Sequence, residues 1–276
     1  MSAPLADQDA IVWTSAARSM TRVCGPLSIR AVWGGSEVCT IGRRTLVIDE
    51  DSYLVSNGGR EYTAQSERRS GGDSLTVFFS EATQSSCVMR RDFFGEHLRP
   101  HGGAISQYLQ RILEARKCRV TDNRWYSNQL RALYRQLVLE DDELLRKSAV
   151  FAPATLSTRS ELFRRVMAAT DFINSNYMST IVLNDIASAA HLSKYHLARV
   201  FRAYHGVSPA AYLRLKRIRT AERLIARSDA DLAEIAERSG FGSRWSMFRE
   251  LHKRRGMSGQ RIRESWARSS ALATPA

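Results

Sequence analysis

A pattern of about 25 residues occurs twice in the second half of the chain, and it limits the fold more strongly than any other feature. The copies span about 183–206 and 232–256. They are offset by 49 residues before a predicted turn and by 50 after it, so the second turn is one residue longer. Apolar residues follow helical spacing on both sides of each turn, which predicts two helix-turn-helix units. Such a pair suits a protein that contacts two successive faces of the DNA major groove.

Each predicted unit has a small core of its own. The spacing assigns the first core to Ile186, Ala187, Leu192, Leu197 and Phe201. The equivalent second core is Ile235, Ala236, Phe241, Met247 and Leu251. Ala187 is small where the two helices of its unit are expected to cross closely.

The second helix of each unit is predicted to carry the DNA contacts. Ser193 and Ser243 are the expected N-caps, because a serine hydroxyl can accept a backbone N–H from the first turn. Side chains at the start of such a helix reach base edges, and basic ones further along meet phosphate. The predicted contact residues are Ser193, Lys194, Tyr195, Ala198, Arg199 and Arg202 in the first unit, and Ser243, Arg244, Trp245, Ser246 and Arg249 in the second.

Trp245 has two interpretations, as a core aromatic or as a residue that contacts DNA. Its place directly after the cap, with Met247 at the core position, favours exposure. Arg249 has the side chain best shaped for a bidentate bond to a guanine edge.

A third helix is predicted between the two units, over Pro209–Ala226. Proline suits the first turn of a helix. At 1.5 Å per residue these residues span roughly 27 Å. A rod of that length could hold the two DNA-contacting helices about 34 Å apart, one helical turn of DNA.

Most of the positive charge lies in the half that carries the duplication. The whole chain has a formal net charge of +13. Residues 1–155 carry 20 Lys and Arg against 18 Asp and Glu, a net +2, while residues 156–276 carry 21 against 10, a net +11. A positive balance favours a polyanionic partner but does not by itself separate DNA from RNA or a membrane surface.

The first part of the chain is predicted to form a small β-sandwich or barrel, since short strand-like segments alternate with turn residues. Residues 1–10 are expected to be a disordered lead-in. The predicted strands are Ser28–Trp33, Glu37–Ile41, Arg44–Ile48, Ser52–Ser56, Arg60–Ala64 and Ser74–Phe79.

The pattern becomes helical from about Ile105. A later apolar series could be a dimer seam or an internal core, and the sequence does not choose between them. Residues 147–158, which include Pro153, are the expected linker. The members of the series are Leu130, Leu133, Leu137 and Leu144.

Metal, disulfide and membrane features are not expected. The four cysteines are scattered and form no CxxC pair, which favours ordinary thiols in a reducing cytoplasm. No stretch approaches the ~20 apolar residues of a membrane helix. The cysteines are Cys24, Cys39, Cys87 and Cys118.

Residues 164–263 resemble the DNA-binding domain of the AraC/XylS family of bacterial transcription regulators. This chain departs from the family pattern at Leu251, Gly259 and Ile262. The residues that carry the resemblance are Ile186-Ala187, Leu192-Ser193, Leu197-x-Arg199-x-Phe201, Gly206-Val207-Ser208-Pro209, Tyr212-Leu213, Arg217-Ile218-x-x-Ala221, Leu224-Ile225, Glu234-Ile235-Ala236, Gly240-Phe241, Gly256-x-Ser258 and Arg263.

The resemblance also implies base-contacting positions. In the first unit they fall on Tyr195, Ala198 and Arg199. In the second unit they fall on Arg244, Trp245, Ser246 and Arg249.

The N-terminal half looks like the cupin-type sensor domain common in this family, most clearly over Asp49–Gln65. A metal-binding cupin needs paired histidines and a glutamate on its strands. The first histidine here is His97, beyond the predicted strands. The resemblance therefore implies the fold without a metal or another cofactor.

The expected fold class is α+β. A cupin-like β-barrel or sandwich with following helices precedes an all-α domain with two helix-turn-helix units joined by a linker helix. The expected domains are a sensing domain over 1–115, connecting helices that could dimerise over 116–158, and a DNA-binding domain over 159–268.

The expected function is a cytoplasmic, sequence-specific transcription regulator that is not an enzyme. Activation is the common outcome in proteins of this kind. The implied partners are double-stranded DNA, RNA polymerase, a small-molecule or protein effector and a second copy of the chain, with no membrane. The alternatives are a cupin-type enzyme or a DNA-repair protein fused to the helix-turn-helix domain, or a non-specific architectural DNA binder.

Overall fold

The chain forms two compact units, Met1–Asp171 and Phe172–Ala276. The first combines β-sheets with helices, and the second is helical in its described part. The computed structural model describes residues 8–14, 20–42, 44–66, 73–87, 96–151, 155–228, 230–256 and 261.

Nine strands of the described residues form two antiparallel sheets in the first unit. One sheet has the order β1-β8-β3-β6-β9 and the other β2-β7-β4-β5. The strands are β1 Ala10–Thr14, β2 Met20–Cys24, β3 Ser28–Trp33, β4 Glu37–Ile41, β5 Arg44–Ile48, β6 Ser52–Ser56, β7 Glu61–Ser66, β8 Asp73–Phe78 and β9 Leu98–Pro100.

Strand β3 shows how the sequence builds three layers, because successive side chains of a strand point to opposite faces. Ile29 and Ala31 belong to a core cluster with residues of helices that cover the five-stranded sheet. Val32 belongs to a second cluster with Cys39 and Leu46 of the other sheet. The strand is buried on both faces, and its one charged residue, Arg30, pairs with Glu37 of β4.

Helices complete the first unit. Asp122 caps α3 by accepting the Arg124 backbone N–H at 2.8 Å. A short 3-10 turn over Ser148–Phe151 follows α3, and α4 contains the boundary at Asp171. The helices are α1 Glu81–Cys87, α2 Gly103–Lys117, α3 Asn123–Lys147 and α4 Leu156–Asn176.

The leucine series of α3 lies largely in this core. Leu130, Leu133 and Leu137 are buried with residues of α2 and of the five-stranded sheet, as the internal-core interpretation requires. Leu144 is half-buried. These leucines therefore stabilise the first unit itself.

Five helices of the described residues follow α4 and form most of the second unit. They are α5 Leu183–Ala189, α6 Lys194–His205, α7 Pro209–Arg227, α8 Leu232–Arg238 and α9 Arg244–Arg255.

The coarse prediction of a β-rich first part and a helical second part is confirmed. All six predicted strands are present within one or two residues at their ends, and β1, β2 and β9 are additional. Ala10, assigned to the disordered lead-in, begins β1. Residues 1–7, 152–154 and 257–260 lie outside the described residues, as do Ile262 and Arg263, so the expectations placed there have no structural counterpart.

The division between units falls at Asp171, inside α4, whereas the sequence placed the start of the DNA-binding domain at residue 159. The first part of α4 is bound to strands of the first unit. Asp171 accepts the Leu98 backbone N–H at 2.9 Å and pairs with Arg44 at 2.5 Å. Burial raises the pKa of the Asp171 carboxyl to about 7, against the opposite effect of Arg44.

The described residues contain neither a membrane-spanning helix nor a metal-binding cluster. None of their helices is both long and apolar enough to cross a membrane. No group of three or more His, Cys, Asp and Glu side chains among them could hold a metal ion. Cys24, Cys39 and Cys118 are free thiols.

Candidate nucleic-acid interface

The two helix-turn-helix units repeat each other closely. α5 and α8 have seven residues each, and α6 and α9 have twelve each. The turn between α5 and α6 contains four residues, and the turn between α8 and α9 contains five. This one-residue difference agrees with the offsets of 49 and 50 in the sequence.

Matching caps define both ends of the second helices. Ser193 accepts the His196 backbone N–H at 3.2 Å, and Ser243 accepts that of Ser246 at 3.2 Å. Gly206 and Gly256 end α6 and α9 with φ values of 74° and 65°. Glycine is favoured at this left-handed position because it has no Cβ.

Nine of the ten predicted core side chains are buried, and Leu192 is half-buried. Phe201 and Leu197 are fully inaccessible in the first helix-turn-helix unit, as are Met247 and Leu251 in the second helix-turn-helix unit. Leu251, one of the departures from the family pattern, therefore still fills its core position. Burial of these side chains fixes which face of α6 and of α9 is turned to solvent.

The faces turned to solvent carry the predicted contact residues. Most are exposed, and Ala198 and Ser246 are half-buried. Tyr195 is 93% exposed and Trp245 is 82% exposed, so Trp245 is not a core aromatic. The exposed members are Ser193, Lys194, Tyr195, Arg199 and Arg202 on the first unit, and Ser243, Arg244, Trp245 and Arg249 on the second.

The cations on these faces are available to a polyanion. In the described part of the chain, Lys194, Arg199, Arg202, Arg244 and Arg249 form no ion pair with a carboxylate. Other arginines of the same unit are paired, such as Arg214 with Glu250 at 3.7 Å. The solvent faces of α6 and α9 therefore carry five cations that no carboxylate of the described residues neutralises.

Helix α7 is bound to the segment that follows α4. Arg217 of α7 donates from Nε to the Tyr177 carbonyl at 2.7 Å and from Nη2 to the Ser179 carbonyl at 2.8 Å. Gly240, in the turn of the second unit, lies against the same Tyr177 carbonyl and Arg217 side chain. Pro209 occupies the first turn of α7, and Ser208 caps it.

His205 lies at the end of α6, beside two aromatic side chains. Its ring centroid lies 4.3 Å from that of Phe201 and 4.9 Å from that of Tyr212. Burial among these rings lowers the pKa of His205 to about 4. The histidine therefore packs as a neutral aromatic, which sequence reasoning missed although Phe201 lies one helical turn earlier.

We expect the folded protein to lose stability as the pH falls from about 6.5 to about 4. Unfolded chains bind a proton at His205 near its ordinary pKa, but the folded chain binds it only near the lowered one, so acid favours unfolding. Between pH 7.5 and 4.5 this difference amounts to roughly 2.5 kcal/mol.

Urea unfolding of the wild type and of His205→Phe at a series of pH values measures the effect. Other titrating groups cancel in the comparison, because both proteins carry them. The phenylalanine variant should show a smaller loss across this window. Parallel pH profiles would contradict the assignment.

A protein-family model described as a helix-turn-helix domain matches residues 186–265. The lactose operon transcription activator of Staphylococcus xylosus is 30% identical over 76 residues, which cover 28% of this chain and 27% of that protein. The uncharacterized regulator YisR of Bacillus subtilis is 22% identical over 232 residues, covering 78% of this chain and 81% of YisR. The matches to the first four curated relatives cover only 25–44% of each relative.

Among solved structures, the DNA-binding domain of AdpA in complex with a target DNA matches with a TM-score of 0.37 and 23% identity, over 40% of this chain and 98% of that one. A likeness at this level adds no argument. The family model and the curated regulators match the region that carries the two helix-turn-helix units. Over residues 186–265 the chain therefore carries a helix-turn-helix domain similar to that of these transcription regulators.

Proposed function

We propose that the chain binds specific double-stranded DNA sites through α6 and α9 and thereby activates transcription. The observation that carries the proposal is the repeated solvent face, with a basic residue, a largely exposed aromatic and an arginine at matching positions of both helices. Those positions are Lys194, Tyr195 and Arg199 on α6, and Arg244, Trp245 and Arg249 on α9.

The two helices would divide the work of recognition unequally. Ala198 is too short to hydrogen-bond a base, so sequence discrimination by α6 would come from Arg199 and Tyr195. α9 offers Arg244, Ser246 and Arg249, with Trp245 able to contact a thymine methyl group. Each good bidentate pair contributes about 1–3 kcal/mol of base discrimination. We therefore propose that α9 discriminates at least as strongly as α6.

The linker helix supports simultaneous binding of two groove faces. α7 contains 19 residues and is therefore about 28 Å long. This length is compatible with two contact helices one DNA turn, about 34 Å, apart. Contacts of α7 with Tyr177 and Ser179 would limit the movement of the two helix-turn-helix units against each other.

The first compact unit, Met1–Asp171, would receive the regulatory signal. Its two sheets support a cupin-like architecture, in which a small-molecule or protein effector controls the DNA-binding unit. Contact with RNA polymerase would follow from activation. A homodimer is also proposed; Leu139, 58% exposed on α3, offers it an apolar surface residue. Bacterial DNA as the target implies action in the cytoplasm.

The enzyme and repair alternatives have less support. Cys24, Cys39 and Cys118 are free, and Cys24 and Cys118 are exposed whereas Cys39 is buried, so no thiolate cluster of a repair centre is evident among the described cysteines. A cupin enzyme would need histidines on its strands, and the described strands contain none.

Arg249→Ala tests the assignment of α9 to base contact. The side chain is exposed, so its loss should change the free energy of unfolding by no more than about 0.5 kcal/mol. Binding to a site selected from random duplexes should weaken by about 1–3 kcal/mol, while binding to random DNA should change little. Fluorescence anisotropy at several fixed salt concentrations measures both.

Lys253→Ala is the matched control, since Lys253 is exposed on the same helix but is not a predicted base contact. It should weaken selected-site and random binding equally if it meets phosphate at all. If Arg249→Ala does the same, the arginine only holds phosphate. Salt-insensitive binding by the wild type, or no binding to either duplex, would contradict the proposed function itself.

A further inference from the structure

A cavity of about 420 Å³ opens in the first unit, where the end of α2 meets strand β1. This volume lies in the range of small-molecule sites, about 300–1,000 Å³. Trp13, Leu113 and Tyr126 supply apolar and aromatic walls. Three cations and one carboxylate also line the cavity among the described residues, and they are Arg116, Lys117, Arg119 and Asp73.

The end of α2 accounts for part of this charge without a ligand. Arg116 and Lys117 lie in the last turn, where cations interact favourably with the carboxyl end of the helix. Their presence alone therefore does not indicate a binding site. Arg119 is not explained in this way, because it lies beyond the helix.

Arg119 occupies a backbone position that favours glycine. Its φ is 55°, and the helix closes around it with hydrogen bonds from the Arg119 N–H to the Arg116 carbonyl and from the Val120 N–H to the Ala115 carbonyl, each 2.9 Å. Glycine is the usual residue at this left-handed end. α6 and α9 do end in glycine, at Gly206 and Gly256. An arginine at this position makes the left-handed backbone less stable than a glycine would.

The cations surround an aromatic surface. The Arg116 guanidinium lies over the Trp13 ring, 5.0 Å from its centroid, which holds a planar cation against the cavity wall. Arg116, Lys117 and Arg119 make no ion pair within the described part of the chain. With Asp73 as the carboxylate among the described lining residues, the cavity has an excess of two positive charges.

We propose that this cavity binds a small organic anion with a planar apolar body. The body would lie against Trp13, Leu113 and Tyr126, and the carboxylate, sulfonate or phosphate would be held by Arg119 with Lys117 and Arg116. That this site receives the effector rests on the proposed regulatory function. Binding itself does not, and it is measured below without DNA.

The probe is 8-anilinonaphthalene-1-sulfonate, which fluoresces when its planar body enters an apolar site. The neutral comparison is N-phenyl-1-naphthylamine, which has the same ring system without the sulfonate. The full-length protein should bind the anion saturably, at about one per chain, with an affinity that falls as salt rises. The neutral compound should bind at least about tenfold more weakly than the anion.

Arg119→Gly separates a ligand contact from a structural role. The glycine suits the backbone better, so the urea unfolding midpoint should stay equal or rise, while affinity for the anion should fall about tenfold or more. Arg119→Lys keeps the charge and should retain most of the affinity. Arg111→Ala should leave binding unchanged, because Arg111 lies over Tyr108 and is not among the cavity residues.

Three results would overturn the proposal. One is an absence of saturable binding by the wild type, and another is equal affinity for the neutral compound. The third is Arg119→Gly that binds the anion as tightly as the wild type or unfolds more readily. Loss of DNA binding in a protein that still binds the anion would count against the proposed function and leave this site in place.

Discussion

Gly240→Ala is expected to lower the free energy of unfolding of the second compact unit by about 3–5 kcal/mol and to abolish DNA binding. Gly240 has a φ of 79°, which strains any residue with a Cβ. A Cβ there would also overlap the Tyr177 carbonyl oxygen and approach Arg217 Nε to 2.9 Å. The change therefore disturbs the hydrogen bond from Arg217 of α7 to Tyr177, the residue that follows α4.

Gly206→Ala provides the matched control. Gly206 has nearly the same φ, 74°, but a Cβ there would meet nothing within 4 Å. It should lose only the backbone contribution, about 1–2 kcal/mol. Urea unfolding gives both free energies, and anisotropy with a selected duplex gives the affinities. Equal losses in the two variants would mean that the close approach at Gly240 contributes nothing.

The helices of the second unit could be predicted well because their signals are local. Apolar spacing, the capping serines Ser193 and Ser243, and the left-handed glycines Gly206 and Gly256 each act within a few residues. The length of the second turn followed from comparing two copies of one pattern. Exposure of Trp245 followed from Met247 taking the core position.

The strands that were missed lacked such signals. β9, Leu98–Pro100, has three residues, too few to show alternation, and it is defined by its pairing with β6. β1 begins at Ala10, directly after polar residues, and pairs with β8, more than sixty residues later. Pairing partners at such separations are set by tertiary packing, which no short window of sequence contains.

Contacts between distant side chains escaped sequence reasoning for the same reason. Arg217 was named only as part of the family resemblance, and its bonds to two carbonyls about forty residues earlier in the chain were not predicted. The packing of His205 was not predicted either, because its aromatic neighbour Tyr212 lies beyond the helix end. For the DNA contacts, the sequence identified exposed residue types, whereas which base each one meets depends on a complex.

Asp141→Ala is expected to lower the free energy of unfolding of the first unit by about 3–5 kcal/mol. Asp141 lies on α3 and accepts a hydrogen bond from Arg99 Nη2 of β9 at 3.0 Å. Both side chains are almost completely buried, with 1% and 3% of the surface exposed. Removing the carboxylate leaves the buried guanidinium without its ion-pair partner, and of the two carboxylates that interact with Arg99 only Glu140 remains.

Two further variants separate the effect of the unpaired Arg99 charge from a general loss of stability in α3. Glu143→Ala removes a carboxylate from the same helix, but its pair with Lys147 is more than half exposed, so no measurable change is expected. The double variant Arg99→Met with Asp141→Leu removes both charges and should regain most of the lost free energy, because apolar side chains of similar size often replace a buried pair without loss. Urea unfolding measures all three.

If Asp141→Ala and the double variant lose the same amount, the cost comes from the pair's own attraction. If Asp141→Ala loses less than about 1 kcal/mol, the apolar contacts of Leu133 and Leu137 hold α3 by themselves and the expectation is wrong.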